Sequence, residues 1–504
     1  MLSTFRKDLL LPMALGLLSL FSLFLILDTE RSYATIEAVS LWVRNRFGRF
    51  YLYIGLGCVL LLFGIALSPW GKIKLGAKDE RPEHSFWAWI AMLYSAGMGA
   101  GILLRAVQEP VFMYLNPPYP SQLPPETLAL TFTFYQWGFT AWAFYGFFAM
   151  IIGYALFVRK SQVSVSASLT GAFSRGIFGK AVDVTTLITT VFGLVVAVGL
   201  GTTQISGGLN HLFPERFGLG STLLLTLLVC ILAGYSAWRG VNQGIKILSK
   251  INIIVTLLLL LFVFLWSDIG AVLSSFLEAT LQYLIHFVPM SLAYGSYDPG
   301  IDFLTDWTFY YWAFWLAYAP FTGIFIARIS KGRNLRQMLL GVLIIPSLGT
   351  FFWFSVFGSS AFTLIQSWES YHNEFGNVFS SLFVFLENYP FSDVLNGIIL
   401  VLLVGFLVTS VDSAVFVLSM FTDNGKQNPK KRHRLLWTLL ILLTTLALII
   451  LGNVKPDIDV LVAVQKLLII TSLPFALFMV VVAGMFVFGL IKNPVKPVNK
   501  QKSQ

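Results

Sequence analysis

The chain has 504 residues, of which 57% are hydrophobic and 12% charged, with a mean hydropathy of +0.77. This excludes an ordinary soluble domain and predicts an all-α membrane protein with many spans. The net charge of +10 is spread over short connections, so it gives no reason to expect a nucleic-acid partner; the lipid bilayer is the surrounding it fits.

Apolar runs predict twelve transmembrane helices, at 9–27, 50–68, 86–108, 127–157, 181–212, 221–237, 251–267, 306–330, 336–360, 392–422, 435–452 and 460–491. The first run has no small-residue cleavage site after it and is followed by Asp28, Glu30 and Arg31, which reads as an uncleaved span. Arg6 and Lys7 place the N-terminus inside, and every later even-numbered connection is basic, ending in the tail with Lys492, Lys496, Lys500 and Lys502. Residues 111–126, 268–305 and 361–391 hold no Lys or Arg and fall outside. Both termini are therefore expected on the cytoplasmic side. The connection at 28–49 departs from the rule with Arg44, Arg46 and Arg49, and is expected to be a surface helix. Cys58 and Cys230 lie in apolar runs and read as small buried side chains.

Span three carries Gly97, Met98, Gly99, Ala100 and Gly101. Glycines at i, i+2 and i+4 spread around a helix instead of forming one small-residue face. They predict loosened backbone, which at membrane depth is tolerated where it lines a cavity. Arg105 and Glu109 follow at i, i+4, either as an ion pair or with Arg105 facing the pathway. In span four, Trp137, Trp142 and Tyr145 lie within a ~140° arc well inside the span. Two amphipathic segments are expected at the surfaces: Gly240–Lys250 inside, and Ala271–Phe287 outside, the latter broken by Gly295, Pro299 and Gly300.

Span eight is crowded with rings from Trp307 to Phe321, and Trp312, Trp315 and Tyr318 recur every third residue. At ~100° per residue these three fall within a ~120° arc. An aromatic belt explains Trp307 and Tyr310 near the span's end, but not Trp315 and Tyr318 two to three turns inside. A box of ring faces around a cation without hydrogen-bond donors, such as a quaternary ammonium, explains them better. Span ten holds Phe406, Thr409, Ser410, Asp412 and Ser413. Adjacent hydroxyls facing freed carbonyls are the hard donors that sodium takes, although Thr and Ser in helices commonly bond back to the preceding turn. The five histidines fall at or beyond span ends, with no catalytic cluster, so no enzyme is expected. No filter-like loop or charged ring suggests a channel.

WTFYYWAFWLAYAPFTGIFIARISKGR (307–333), GMGAG (97–101) with Glu109-Pro110, WGFTAWAFY (137–145), FGLVVAVGLGTTQISGGLN (192–210), GIKILSKIN (244–252), FWFSVFG (352–358) and VTSVDSAVFVLSM (408–420) resemble, in order, the betaine/choline/carnitine transporter family. The resemblance implies two inverted five-helix repeats, spans 3–7 and 8–12, preceded by two extra helices. The chain then divides into the N-terminal pair (1–85), the first repeat (86–267), an outer connection (268–305), the second repeat (306–491) and a short basic tail (492–504). It also implies a homotrimer in the bacterial cytoplasmic membrane.

By position, Trp137, Trp142 and Tyr145 match the family's span-four aromatic wall, and Trp312, Phe314, Trp315, Tyr318 and Phe321 its span-eight wall. Gly97, Met98, Gly99, Gly101 and Arg105 fall where the substrate's other end would sit. Ser95 and Met98, with Phe406, Thr409 and Ser410, match the sodium site of sodium-coupled members. Phe314 and Tyr318 stand where Trp is usual, and Arg105 where an aromatic is usual, which leaves the preferred osmolyte open. The expected function is sodium-coupled import of glycine betaine or a related quaternary-ammonium or zwitterionic osmolyte, with Na+ as coupling ion and no other cofactor. A proton-coupled choline-type symporter and a sodium-independent substrate:product antiporter are the alternatives, with Asp412 and Glu109 as protonatable groups.

Overall fold

A computed structural model describes residues 10–97, 99–160, 166, 177–240, 242–423, 426, 428–454 and 459–492, with the backbone alone at 94–97 and 242–246. Among the described residues the architecture is all helical, apart from one isolated antiparallel bridge, Lys74 with Asn334. The helices are α1 (Leu10–Leu27), α2 (Thr29–Leu67), α3 (Phe86–Gly97), α4 (Ala100–Arg105), α5 (Gln108–Leu115), α6 (Pro125–Trp137), α7 (Phe139–Gly153), α8 (Ile177–Leu212) and α9 (Leu219–Arg239). They continue with α10 (Asn242–Trp266), α11 (Ile269–Leu292), α12 (Ile301–Leu304), α13 (Tyr310–Ile329), α14 (Leu335–Ser367), α15 (Ser381–Leu386), α16 (Ser392–Thr422), α17 (Lys431–Leu451) and α18 (Val460–Lys492).

Among the described residues twelve helices are long and apolar enough to cross a membrane, the number expected, but they are not the same twelve. The third predicted span is divided into α3, α4 and α5, each too short alone. The division follows the glycines: α3 ends at Gly97, and Gly99 enters α4 in extended backbone. In its place stands α11, which is longer than the predicted outer segment 271–287 and has an apolar stretch of spanning length. It ends where the sequence suggested, at a left-handed Ala293 followed by Gly295 and Gly300 at φ 63° and 87°.

Two further expectations are corrected. The connection at 28–49 is no separate surface helix but the first turns of α2, a single helix of 39 residues, about 58 Å long. Asp28 caps it by accepting from Arg31 N. Two of its arginines are partnered: Arg44 with Glu37 at 3.1 Å, and Arg49 with Asp298 at 3.0 Å and the Ala293 carbonyl. Likewise 240–250 is not a free amphipathic segment. Gly240, at φ 71°, caps α9 in the left-handed conformation that favours glycine, and residues 242–250 open α10.

The segment after α2 is tied to the turn between α13 and α14. Leu75 N donates to Arg333 O at 2.8 Å, Gly332 N to Leu75 O at 2.7 Å, and Leu335 N to Ile73 O at 2.9 Å. Arg336 Nε donates to Ala66 O at 2.7 Å. Lys331 reaches Glu80 at 2.8 Å, and the hydrogen bond it donates holds that exposed carboxyl below its ordinary pKa.

Candidate functional site

Span four is broken at mid-length by Gly138, between α6 and α7. A side chain there would put its Cβ 2.6 Å from the Phe134 carbonyl oxygen and 2.7 Å from the Tyr283 hydroxyl, so the bend needs glycine. Backbone freed inside a membrane protein must find other partners. Here side chains supply them: Trp315 Nε1 donates to Gln136 O at 3.0 Å, Thr350 Oγ1 to Trp137 O at 3.4 Å, and Phe139 N to the Tyr283 hydroxyl at 2.8 Å. The bend therefore fixes Trp137 and Trp315 to one another. Span eight opens with a π-helical turn, Thr305–Phe309, an irregularity common at functional sites.

Between these elements, α4, α8, α9 and α16 lies a cavity of about 590 Å³. Trp137 and Tyr145 line it from span four, and Phe314, Trp315, Tyr318 and Phe321 from span eight. Trp315 stands edge-on to Trp137 (centroids 5.0 Å, 69°) and to Tyr145 (6.1 Å, 90°). Gly99, Gly101, Arg105, Phe406, Thr409 and Ser410 line the same cavity. From the rings it runs to Gly240, Arg328 and Arg434, at helix ends bordering the basic connections. Toward the other side Trp307 lies against Phe112, with centroids 4.7 Å apart.

Trp312 and Trp142 do not line the cavity. Trp312 is fully buried on the far side of α13, its indole in the notch of α2 at Gly55 and its ring 5.2 Å from Tyr135. A three-residue spacing drifts ~60° per step, so Trp312 and Tyr318 are too far around the helix to face one space. The true lining follows i, i+3, i+4 and i+7: Tyr311, Phe314, Trp315 and Tyr318, with Tyr310 beside them. Tyr310 and Tyr311 were missed as wall residues for that reason. Trp142 is buried behind Tyr145, edge-on at 5.5 Å. Gly97 ends α3 and is described by its backbone alone. Met98 and the side chain of Ser95 lie outside the described residues.

Arg105 and Glu109 do not form the i, i+4 ion pair that was one reading. The helix is interrupted between Arg105 and Gln108, and no ion pair among the described residues joins them. Arg105, 4% exposed, donates to Gln108 Oε1 at 2.6 Å, and its guanidinium lies 4.9 Å from the Trp307 ring centre. Glu109 is fully buried and accepts from Trp137 Nε1 at 3.1 Å and from the Tyr311 hydroxyl. It thus ties a span-four ring to a span-eight ring.

On α16, the Thr409 hydroxyl bonds back to the Gly405 and Phe406 carbonyls at 2.9 and 3.1 Å, the ordinary helical habit, which still leaves its oxygen lone pairs available. Ser410 lines the cavity nearby. Sequence reasoning passed over Gln204 and Asn252, which also line it. Both amide atoms of Gln204, Nδ2 of Asn252 and Oδ1 of Asp412 are buried without a partner among the described residues. Nothing in their spacing distinguishes them from packing residues.

A transport family is recognisable from the whole chain: residues 9–494 match the model of the betaine/carnitine/choline family transporters, BCCT. The chain belongs to the BCCT family. This BCCT protein is 36% identical to the glycine betaine transporter OpuD of Bacillus subtilis (strain 168), over 91% of this chain and 89% of that one. It is 33% identical to the high-affinity choline transport protein of Escherichia coli (strain K12), over 94% and 70% respectively. The ectoine/hydroxyectoine transporter of Virgibacillus pantothenticus is 31% identical, over 92% of each. As a member of that family, this BCCT protein is a multi-pass membrane transporter and not an enzyme.

Proposed function

We propose that this transporter is a sodium-coupled symporter, importing glycine betaine or a related quaternary-ammonium or zwitterionic osmolyte by alternating access. One observation carries the reading: Trp137 and Tyr145 of span four meet Trp315 of span eight at ring spacings of 5.0 and 6.1 Å on the wall of one cavity, which Tyr318 also lines. Ring faces hold a cation that has no donors to offer, and Phe314, Tyr310 and Tyr311 extend the wall. Gly99, Gly101 and Arg105 border the place for the substrate's other end. The positive-inside rule makes the cavity end at Arg328 and Arg434 the cytoplasmic one, with both termini on that side of a bacterial inner membrane.

Sodium is a co-substrate in this reading. The Phe406, Thr409 and Ser410 stretch offers hydroxyl and carbonyl oxygens on the cavity wall, which Gly99 also lines just after α3 ends; Ser95 and Met98 complete the set by family position in the sequence. Uptake of labelled betaine into proteoliposomes tests the coupling. An inward sodium gradient accelerates it, and Thr409→Val with Ser410→Ala removes the acceleration; uptake indifferent to sodium refutes the coupling. The unpartnered Oδ1 of Asp412 favours proton coupling as the second reading, which a pH gradient in the same vesicles would reveal. Two inverted repeats and a homotrimer complete the proposal; the oligomer is checked by sedimentation in detergent.

A further inference from the structure

We infer that Arg105 makes this cavity select zwitterions, with an anionic group beside the cationic one, over purely cationic quaternary amines. The inference rests on the proposed function and names its substrate class. Arg105 is 96% removed from solvent yet forms part of the cavity wall. A guanidinium keeps its charge even when buried, and holding one inside a membrane protein is costly without a counter-charge. No ion pair among the described residues includes Arg105. The nearest carboxylate in sequence, Glu109, acts on Arg105 through space only; its hydrogen bonds go to Trp137 and Tyr311, so the guanidinium's donors are not taken up by it. Gln108 and the Trp307 face hold the guanidinium in place without neutralising it.

The cage begins one ring away. The Tyr310 phenol adjoins Arg105, Tyr310 lies 6.2 Å from Phe314, and Phe314 lies 5.1 Å from Trp315. Tyr311 stacks between Trp307 and Trp315 at 6.4 and 5.8 Å. A ligand with both charges places its cation at Trp137, Trp315 and Tyr318 and its carboxylate on the planar guanidinium fork, which suits oxyanions. Choline has the same head group but only a hydroxyl at the other end. It leaves Arg105 without an anion and adds like-charge repulsion in a low-dielectric site, a discrimination by exclusion as much as attraction.

The experiment measures binding of glycine betaine and of choline to the purified full-length protein by calorimetry, for the parent, Arg105→Gln and Arg105→Lys. The parent binds betaine more tightly than choline. Arg105→Gln weakens betaine by about 10- to 100-fold, the range for hydrogen bonds to a charged group, and leaves choline no weaker. Arg105→Lys keeps part of the preference. A monodisperse Arg105→Gln protein that loses both ligands by the same factor, or an unchanged ratio of the two, overturns the inference while leaving the proposed function standing. A parent that binds neither solute overturns both.

Discussion

Replacing Trp315 with Leu tests the cage at its centre. The indole is 6% exposed, with that exposure on the cavity, and meets Trp137 at 5.0 Å and Tyr145 at 6.1 Å. Leucine keeps apolar bulk but removes the ring face, and a desolvated cation–π contact contributes about 1–2 kcal/mol. The dissociation constant for betaine should therefore rise about 5- to 30-fold. A second effect falls on stability. The Gln136 carbonyl at the span-four bend loses its donor, at a cost of about 1–3 kcal/mol for an orphaned buried group. Trp315→Phe separates the two: it loses the same donor but keeps a ring, so its affinity lies between parent and Leu while its melting temperature falls with that of Leu. Calorimetry on detergent-purified protein measures the affinity, and thermal unfolding measures the stability. A well-folded Trp315→Leu protein binding betaine as tightly as the parent would refute the ring cage.

Three other outcomes follow from the same geometry. Trp312→Leu should lower thermal stability by about 2 kcal/mol or more through the void left at Gly55, with the dissociation constant unchanged; a melting curve paired with a binding isotherm checks it. Glu109→Ala should weaken substrate binding, because Trp137 Nε1 and the Tyr311 hydroxyl lose their shared acceptor. Glu109→Gln should retain most of it, as its carbonyl oxygen can still accept, and KM for uptake reports the difference. Gly138→Ala should cost about 1–3 kcal/mol by overpacking against Phe134 O and Tyr283, seen as lower yield of monodisperse protein.

Much of the fold was legible because membrane depth enforces simple rules. Apolar length marks the long helices, and alternating glycines in 97–101 mark where α3 gives way to α4. Long-range partners were not legible. Arg44 and Arg49 look misplaced in the sequence, because Glu37, Asp298 and the Ala293 carbonyl that receive them are brought up only by the fold. Gly138 looked like any glycine in an apolar run, since its role depends on Tyr283 and Phe351 arriving from other helices. The ring-rich stretch was found at once, but its facing was set by the i, i+4 path from Tyr311 to Trp315. The more conspicuous tryptophan, Trp312, went to the interface with α2.

The backbone pairing of residues 73–75 with 332–335 bears on how such a machine can move. Three main-chain bonds and the reach of Arg336 to Ala66 weld the elbow of α13 and α14 to the base of α2, so no hinge can lie there. Helix two must travel as passenger with that pair. Among the described residues no main-chain bond crosses from α13 or α14 to α8 or α16, so that seam rests on side-chain contact alone, without the backbone weld that binds the elbow to α2.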